Sequence, residues 1–367
     1  MTACLRPILG LATQGAGGDD EARLRGLLEQ LPATLFPFDR RARRRSFFRL
    51  LGGLLRDRPG LVVMEGTGVS GGLALLLGRL LAGVPYVVSS GDAVGPFVAG
   101  QSCALGPLFA LYERLLCRCS AGYVGWTPYL AGRALSFGAP RAMTAAGWAP
   151  FPQTDEQLAA GRVRVRAALG IPRDALVFGI VGSLAWTRRV RYCYGRELVQ
   201  AIAGIDRPDI RVLIVGDGSG RAHLERAAAH RLGRSVLLTG RVPRDRVPDY
   251  LAAMDVASLP QSVDRVGSFR YTTKLSEYLA AGLPVVTGQV PLAYDLGDDW
   301  LWRLPGKAPW DPAYVQALSD LMRRLQPAEV KARQAAVPRR LPQFDRDAQV
   351  HRVTAFLTDL LKERTAA

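Results

Sequence analysis

Short runs of β-branched and other apolar residues alternate with helix-length segments along almost the whole chain, and this rhythm limits the fold more than any other feature. Strands separated by helices pair in parallel, so the pattern predicts an α/β architecture. In the first half the predicted strands are Ile8–Ala12, Ala33–Phe36, Leu61–Glu65, Tyr86–Ser89, Gly122–Gly125 and Ala142–Ala145. Helices are predicted over Arg41–Arg56 and Gly72–Leu81, from near Pro107, and after Thr127-Pro128, where Thr caps and Pro fills the first turn. Near residue 150 the stretch Trp148-Ala-Pro-Phe-Pro-Gln-Thr-Asp interrupts the pattern, which restarts after one helix with Leu176-Val-Phe-Gly-Ile-Val-Gly182. Further strands are expected at Val212–Val215, Val236–Thr239, Val256–Leu259 and Pro284–Thr287. A chain of 367 residues suits two domains. The expected division is an N-terminal α/β domain over residues 1–150, a second over 151–345, and a final helix over 346–367. That helix places Val350, Val353, Phe356, Leu357, Leu360 and Leu361 on one face, which must be buried.

Charge narrows the partners. Lys plus Arg total 48 against 32 acidic residues, a net charge of +16, which favours anionic ligands or surfaces. Only Lys274, Lys307, Lys331 and Lys362 are lysines, as expected of an arginine-rich coding bias. Lys274 then stands out as a position where a compact ammonium is retained. The basic residues are spread along the chain with no nucleic-acid module, which argues against that partner. Arg40-Arg-Ala-Arg-Arg-Arg45, followed by Phe47, Phe48, Leu50 and Leu51, reads as a helix with a solvated basic face or as a dock for an anionic membrane. Cys4, Cys103, Cys117, Cys119 and Cys193 lack zinc spacing and are expected to be reduced thiols. Neither a signal peptide nor a membrane span is read from the sequence, since the apolar region Leu61–Val88 is broken by Glu65, Arg79 and glycines. A cytoplasmic protein, with peripheral attachment to the inner membrane face as an option, is the expectation.

Two segments carry recognisable chemistry. In Arg211-Val-Leu-Ile-Val-Gly-Asp-Gly-Ser-Gly220 a buried strand ends in Gly216, Gly218 and Gly220, where backbone approaches closely and a following helix start can face an anion. In Tyr271-Thr-Thr-Lys-Leu-Ser-Glu-Tyr-Leu-Ala-Ala-Gly282, Thr272 or Thr273 is placed to cap a helix that carries Lys274 and Glu277 three residues apart. The pair reads either as a surface ion pair or as an ammonium for a diphosphate with a carboxylate for ribose hydroxyls.

Five segments in order resemble the C-terminal domain of retaining, family-4 type (group 1) glycosyltransferases with the GT-B fold. They are Gly179-Ile-Val-Gly-Ser-Leu, Val212-Leu-Ile-Val-Gly-Asp-Gly-Ser-Gly-Arg-Ala-His-Leu-Glu225, Val236-Leu-Leu-Thr-Gly-Arg-Val-Pro243, Val247-Pro-Asp-Tyr-Leu-Ala-Ala-Met-Asp-Val256 and Thr273-Lys-Leu-Ser-Glu-Tyr-Leu-Ala-Ala-Gly-Leu-Pro-Val-Val286. The resemblance implies two Rossmann-like domains facing a cleft, with the final helix, 346–367, packing back on the N-terminal one, and a nucleoside-diphosphate sugar as co-substrate, with no cofactor and no metal. It implies that Glu277 binds ribose and that Lys274 and Thr273 face the donor phosphates. Gly182 and Ser183 begin the other phosphate loop, with Arg189 and Arg191 replacing the family's arginine at Ser183. Gly216 completes the phosphate side, and Arg241-Val242 contact the base. The acceptor is expected to be a glycan or lipid-linked saccharide, in polysaccharide or glycolipid synthesis. The leaving phosphate takes the acceptor proton.

The sequence also departs from the family. Phe269 stands where a second glutamate often precedes the ribose glutamate, so Asp264, Ser268 or backbone N–H groups would have to read the sugar. No histidine precedes His223, and Asp92, in Ser89-Ser-Gly-Asp92, is the candidate for the missing N-domain catalytic group. Gly15, Gly17 and Gly18 form the loop expected on the acceptor side; Gly66-Thr-Gly-Val-Ser-Gly-Gly72 is a similar loop, and Trp126 is a candidate cleft residue. Two rivals share the fold: a sugar-nucleotide epimerase, and an inactive scaffold in a polysaccharide assembly complex.

Overall fold

A computed structural model describes residues 7–102, 104–270, 273–297 and 299–366, with side chains through 363. Cys4, Cys103, Tyr271 and Thr272 lie outside the described residues. The chain forms two compact units. The first holds residues 1–147, 269–271 and 342–367, and the second holds 148–268 and 272–341.

In the first unit the elements run β1 (Ile8–Ala12), α1 (Asp19–Leu27), β2 (Ala33–Phe36), α2 (Arg43–Asp57), β3 (Leu61–Glu65), α3 (Val69–Ala82), β4 (Tyr86–Ser90), α4 (Val94–Gln101), α5 (Gly106–Arg118), β5 (Gly122–Gly125), α6 (Pro128–Ser136) and β6 (Ala142–Thr144). Their order in the all-parallel sheet is β2-β1-β3-β4-β5-β6. β3 and β4 are buried at every position, as a central parallel strand requires. The Thr127 hydroxyl accepts from the Leu130 N–H at the start of α6, the cap that Thr127-Pro128 predicts. Helix α4 was not expected, because Val-Gly-Pro-Phe-Val-Ala-Gly-Gln has weak helical propensity.

In the second unit, α7 (Asp155–Ala168) opens with a capping box from Thr154 and Gln157. Then follow β7 (Leu176–Val181), α8 (Arg196–Ile202), β8 (Ile210–Val215), α9 (Arg221–Ala228), β9 (Val236–Leu238), α10 (Val247–Ala252), β10 (Val256–Leu259), α11 (Thr273–Ala280), β11 (Val285–Gly288), α12 (Pro291–Tyr294), β12 (Leu301–Leu304), α13 (Pro312–Arg324) and α14 (Pro327–Ala336). This sheet is ordered β12-β11-β10-β7-β8-β9 and is again all parallel. The order reverses between β7 and β10, the doubly wound arrangement of a Rossmann half-sheet pair. β12, an unexpected edge strand, completes it.

The last helix, α15 (Arg346–Ala366), belongs to the first unit. Val350, Val353, Leu357, Leu360 and Leu361 are buried. A Cβ on Gly122 of β5 would stand 2.7 Å from the Phe356 ring. The Gln349 amide clamps Gly147, accepting from its N–H at 2.6 Å and donating to its carbonyl at 2.7 Å.

Candidate functional site: two strand-end clusters

In an open α/β sheet, ligands bind beyond the carboxyl ends of the strands where the strand order reverses. In the second unit this place lies past β7 and β10. Gly182 ends β7, and the Lys274 side chain lies against its backbone: a Cβ on Gly182 would be 2.8 Å from Lys274 Cε and 3.1 Å from Nζ. The ammonium sits 4.3 Å from the centroid of the Tyr194 ring, a cation–π contact. Thus two residues expected from sequence, Gly182 and Lys274, are adjacent, and a third, Tyr194, joins them. Gly216 ends β8 so close to Gly182 that a Cβ there would meet the Gly182 carbonyl oxygen at 1.9 Å, and its φ is +140°. Gly218 and Gly220 both pack on the Leu184 carbonyl, and the Gly220 N–H donates to it at 2.7 Å. The glycine pattern therefore interlocks the two strand-end loops by backbone contact.

Glu277 stands three residues after Lys274 on α11 and is half-buried. Burial raises its pKa above the usual carboxylate value, and the charges of Lys274 and Arg244 oppose that rise. This places Arg244 near the ribose candidate. Arg241 and Val242 follow Gly240, which bridges Gly216. Thr273 is exposed at the start of α11, and Ser183 is exposed after Gly182. Arg189 and Arg191 lie on an exposed hairpin closed by the Thr187–Tyr192 bridge. Arg191 has a left-handed φ of 50°. The pKa of His223 is lowered by partial desolvation and by the charges of Arg226, Arg196 and Arg191 in that order. His223 stacks on Trp186 at 3.8 Å between ring centroids. Asp264 is occupied, since its Oδ1 accepts from the N–H groups of Val266 and Gly267.

A buried carboxylate absent from the sequence expectations braces this site. Glu197 of α8 is fully buried; it accepts from the Tyr192 hydroxyl at 2.8 Å and from the Ser258 hydroxyl at 3.0 Å. The Tyr278 hydroxyl donates to the Ser258 carbonyl at 3.0 Å. One network thus ties the hairpin, α8, β10 and α11, which carries Lys274. Burial pushes the Glu197 carboxyl up to about 7, against the opposing hydrogen bonds from Tyr192 and Ser258.

In the first unit the order reverses between β1 and β3, and a polar cluster fills the strand ends there. Glu65, the last residue of β3, is 1% exposed. It accepts from Trp126 Nε1 at 3.0 Å and lies 3.5 Å from Arg23 Nε. The Arg23 guanidinium also covers the Trp126 ring at 4.4 Å and donates to the Ala145 carbonyl at 2.6 Å. Burial raises the Glu65 pKa, opposed first by Arg23. Asp20 is also raised, by burial above all; Arg23 opposes this and the nearby Asp92 adds to it. Asp92 itself is ion-paired with Arg270 at 2.9 Å. Gly15 and Gly17 have φ of +103° and +77°, so the loop is a tight turn that needs glycine there. The Gly17 N–H donates to Glu21, and Gly18 is the residue before α1. Phe269 packs in this unit: its carbonyl accepts from the Thr127 hydroxyl at 3.0 Å, and Arg133 lies over its ring. Its side chain is a packing group.

Comparison with known proteins agrees with the geometry. The family model for glycosyl transferases group 1 matches residues 175–323, and the glycosyl transferase 4-like domain matches residues 8–146. The 2-deoxystreptamine glucosyltransferase of Streptomyces kanamyceticus is 30% identical over 273 residues, 71% of this chain and 67% of that protein. The crystal structure of Anabaena HepE in complex with UDP-glucose superposes with a TM-score of 0.66 at 17% identity, covering 96% of this chain and 100% of that one. The glycosyltransferase from Rickettsia africae gives 0.67 at 10% identity, covering 98% and 100%. The matched segments contain both strand-end clusters, and on this evidence the chain belongs to the group 1, family-4 type glycosyltransferases of GT-B fold.

Proposed function

We propose that the chain transfers a sugar from a nucleoside-diphosphate donor to a hydroxyl acceptor with retention at the anomeric carbon. The observation that carries this reading is the Lys274 ammonium held over the Gly182 backbone at the sheet's switch point, with Glu277 one turn further along the same helix. In this reading Lys274 meets the diphosphate and Glu277 accepts hydrogen bonds from the ribose. Lys274, with Arg189 and Arg191, offsets the charge that builds on the departing diphosphate. The bond from the anomeric carbon to phosphate oxygen breaks, the bond to acceptor oxygen forms on the same face, and the leaving phosphate takes the acceptor proton. The relative acts on 2-deoxystreptamine and one solved neighbour carries UDP-glucose, which supports a uridine donor as the first to try.

The acceptor is a glycan or lipid-linked saccharide in this reading, received beside Asp92. A second reading, an amine-bearing cyclitol acceptor, is favoured by the likeness to the 2-deoxystreptamine glucosyltransferase over 71% of this chain. The test is thermal unfolding with UDP, GDP, ADP, dTDP and CMP, followed by product analysis with both acceptor classes. A ligand at about 100 times its Kd adds about 2.7 kcal/mol, enough to raise Tm by a few degrees. One diphosphate should shift the parent chain, and Lys274→Met should lose the shift and about 100-fold in rate. No shift with any nucleotide favours the scaffold, turnover without acceptor favours the epimerase, and an inverted anomeric product by NMR removes retention.

A further inference from the structure

Helix α3 is built the wrong way round for a helix of a water-soluble surface. Its buried side is small: Gly71, Gly72, Ala74, Leu75 and Gly78. A Cβ on Gly72 would collide with the Tyr112 hydroxyl, and one on Gly78 would meet Leu54 at 2.8 Å, so glycine lets α5 and α2 close upon it. Its outward side carries Leu73, Leu80 and Leu81, exposed by 42, 78 and 61%. Surface helices ordinarily place polar residues there. The neighbouring helix α5 repeats the pattern, with Leu108, Leu111 and Leu115 exposed along one stripe, and Phe48 of α2 is 69% exposed on the other side. Helix α3 adjoins both α2 and α5, so these exposed apolar side chains lie on three neighbouring helices, more than the scattered exposed leucines of an ordinary surface.

The charges around this face have one sign. Arg44, Arg45 and Arg49 on α2, Arg79 on α3 and Arg114 on α5 are exposed. The exposed acid on these three helices is Asp57, which is ion-paired with Arg56; Glu113 is buried against Arg133. An apolar face rimmed by arginines complements a surface that is apolar inside and anionic at its boundary. A second copy of this chain is a poor occupant, because it would bring the same arginines, on a chain of net charge +16, against these. We propose that the outer faces of α2, α3 and α5 dock on an anionic lipid bilayer, with the leucines of α3 and α5 entering the headgroup–acyl boundary. The basic run that leads into the first turn of α2 contributes attraction, and the leucines of α3 and α5 contribute insertion. This inference does not rest on the donor reading and can fail without it.

The experiment is co-sedimentation of the full chain with phosphatidylcholine vesicles, with and without about 30% phosphatidylglycerol. The parent chain should pellet with the anionic vesicles, remain in the supernatant with the neutral ones, and be partly released by salt. Leu80→Asp/Leu81→Asp and Leu108→Asp/Leu111→Asp should each reduce partitioning at least about tenfold while Tm is unchanged, since these side chains are already exposed. Absence of binding to either vesicle overturns the proposal. So does binding that the leucine variants leave intact, which would reduce the effect to nonspecific charge. A dimer in sedimentation velocity that these variants dissociate would also overturn it, by assigning the face to self-association.

Discussion

The two sheets reverse their strand order in the same way, yet treat the reversal point differently. Past β7 the walls are backbone: Gly182, Gly216, Gly218 and Gly220 bring two loops into direct contact, and one cation, Lys274, lies against Gly182. Past β1 and β3 the space is occupied by side chains, with Glu65, Arg23 and Trp126 bonded to one another. The first arrangement spends the N–H groups of these four glycines within the loops and leaves the Lys274 ammonium for an anion. The second has already consumed its charge internally, with Asp92 paired to Arg270 and Asp20 facing Arg23 at its margin. A sheet topology thus fixes where a ligand can sit, while the size of the residues at the strand ends decides whether the place is open.

Substitutions can break this contrast. Gly216→Ala carries the largest expected effect, because its Cβ has nowhere to go beside the Gly182 carbonyl and its φ disfavours alanine. A loss of about 3 kcal/mol or more in denaturant unfolding is expected. A neutral result would mean that the loops are not locked. Arg23→Met should cost about 2 kcal/mol in the same assay, below the usual loss for a broken buried pair, because Glu65 can take up a proton instead. The loss should be smaller at pH 5 than at pH 8; equal losses would show that Glu65 is already neutral beside Arg23. Glu197→Gln tests the brace by its pH signature. The Glu197 carboxyl titrates near its ordinary value of 4.5 when unfolded and at about 7 when folded. Its protonated form is thus favoured by folding, and the contribution is full below pH 4.5 and lost as pH rises through 7. The parent should lose up to about 1.4 kcal/mol per pH unit across this window relative to the glutamine variant. Parallel pH profiles would place Glu197 outside the titrating set.

The parts of this molecule that were legible in the sequence are those whose cause is local. The Thr127 cap, the strand-end glycines and the Lys274–Glu277 spacing are each written within a few residues. Helix α4 was missed because two glycines and a proline hide it, and β12 because four residues at a sheet edge carry little pattern. Tyr194, Glu197 and Arg23 were missed for another reason. Tyr194 sits in a loop without a motif, Glu197 reads as an ordinary charge at a helix start, and Arg23 reads as a solvated helix residue. Their roles exist only once the sheet has brought distant segments together. The loop glycines were legible, but their reason was not: Gly216 is small chiefly for the Gly182 carbonyl.

The placement of α15 bears on how the polypeptide reaches this state during synthesis. Gln349 closes the strand-end region at Gly147, and Phe356 covers Gly122 of β5, so the first unit lacks a wall until the residues of α15 have left the ribosome. The second unit is assembled from residues that emerge earlier. Domains ordinarily fold in order of emergence. Here the unit that is translated first must wait, with β5 uncovered, while the unit translated second can settle before it.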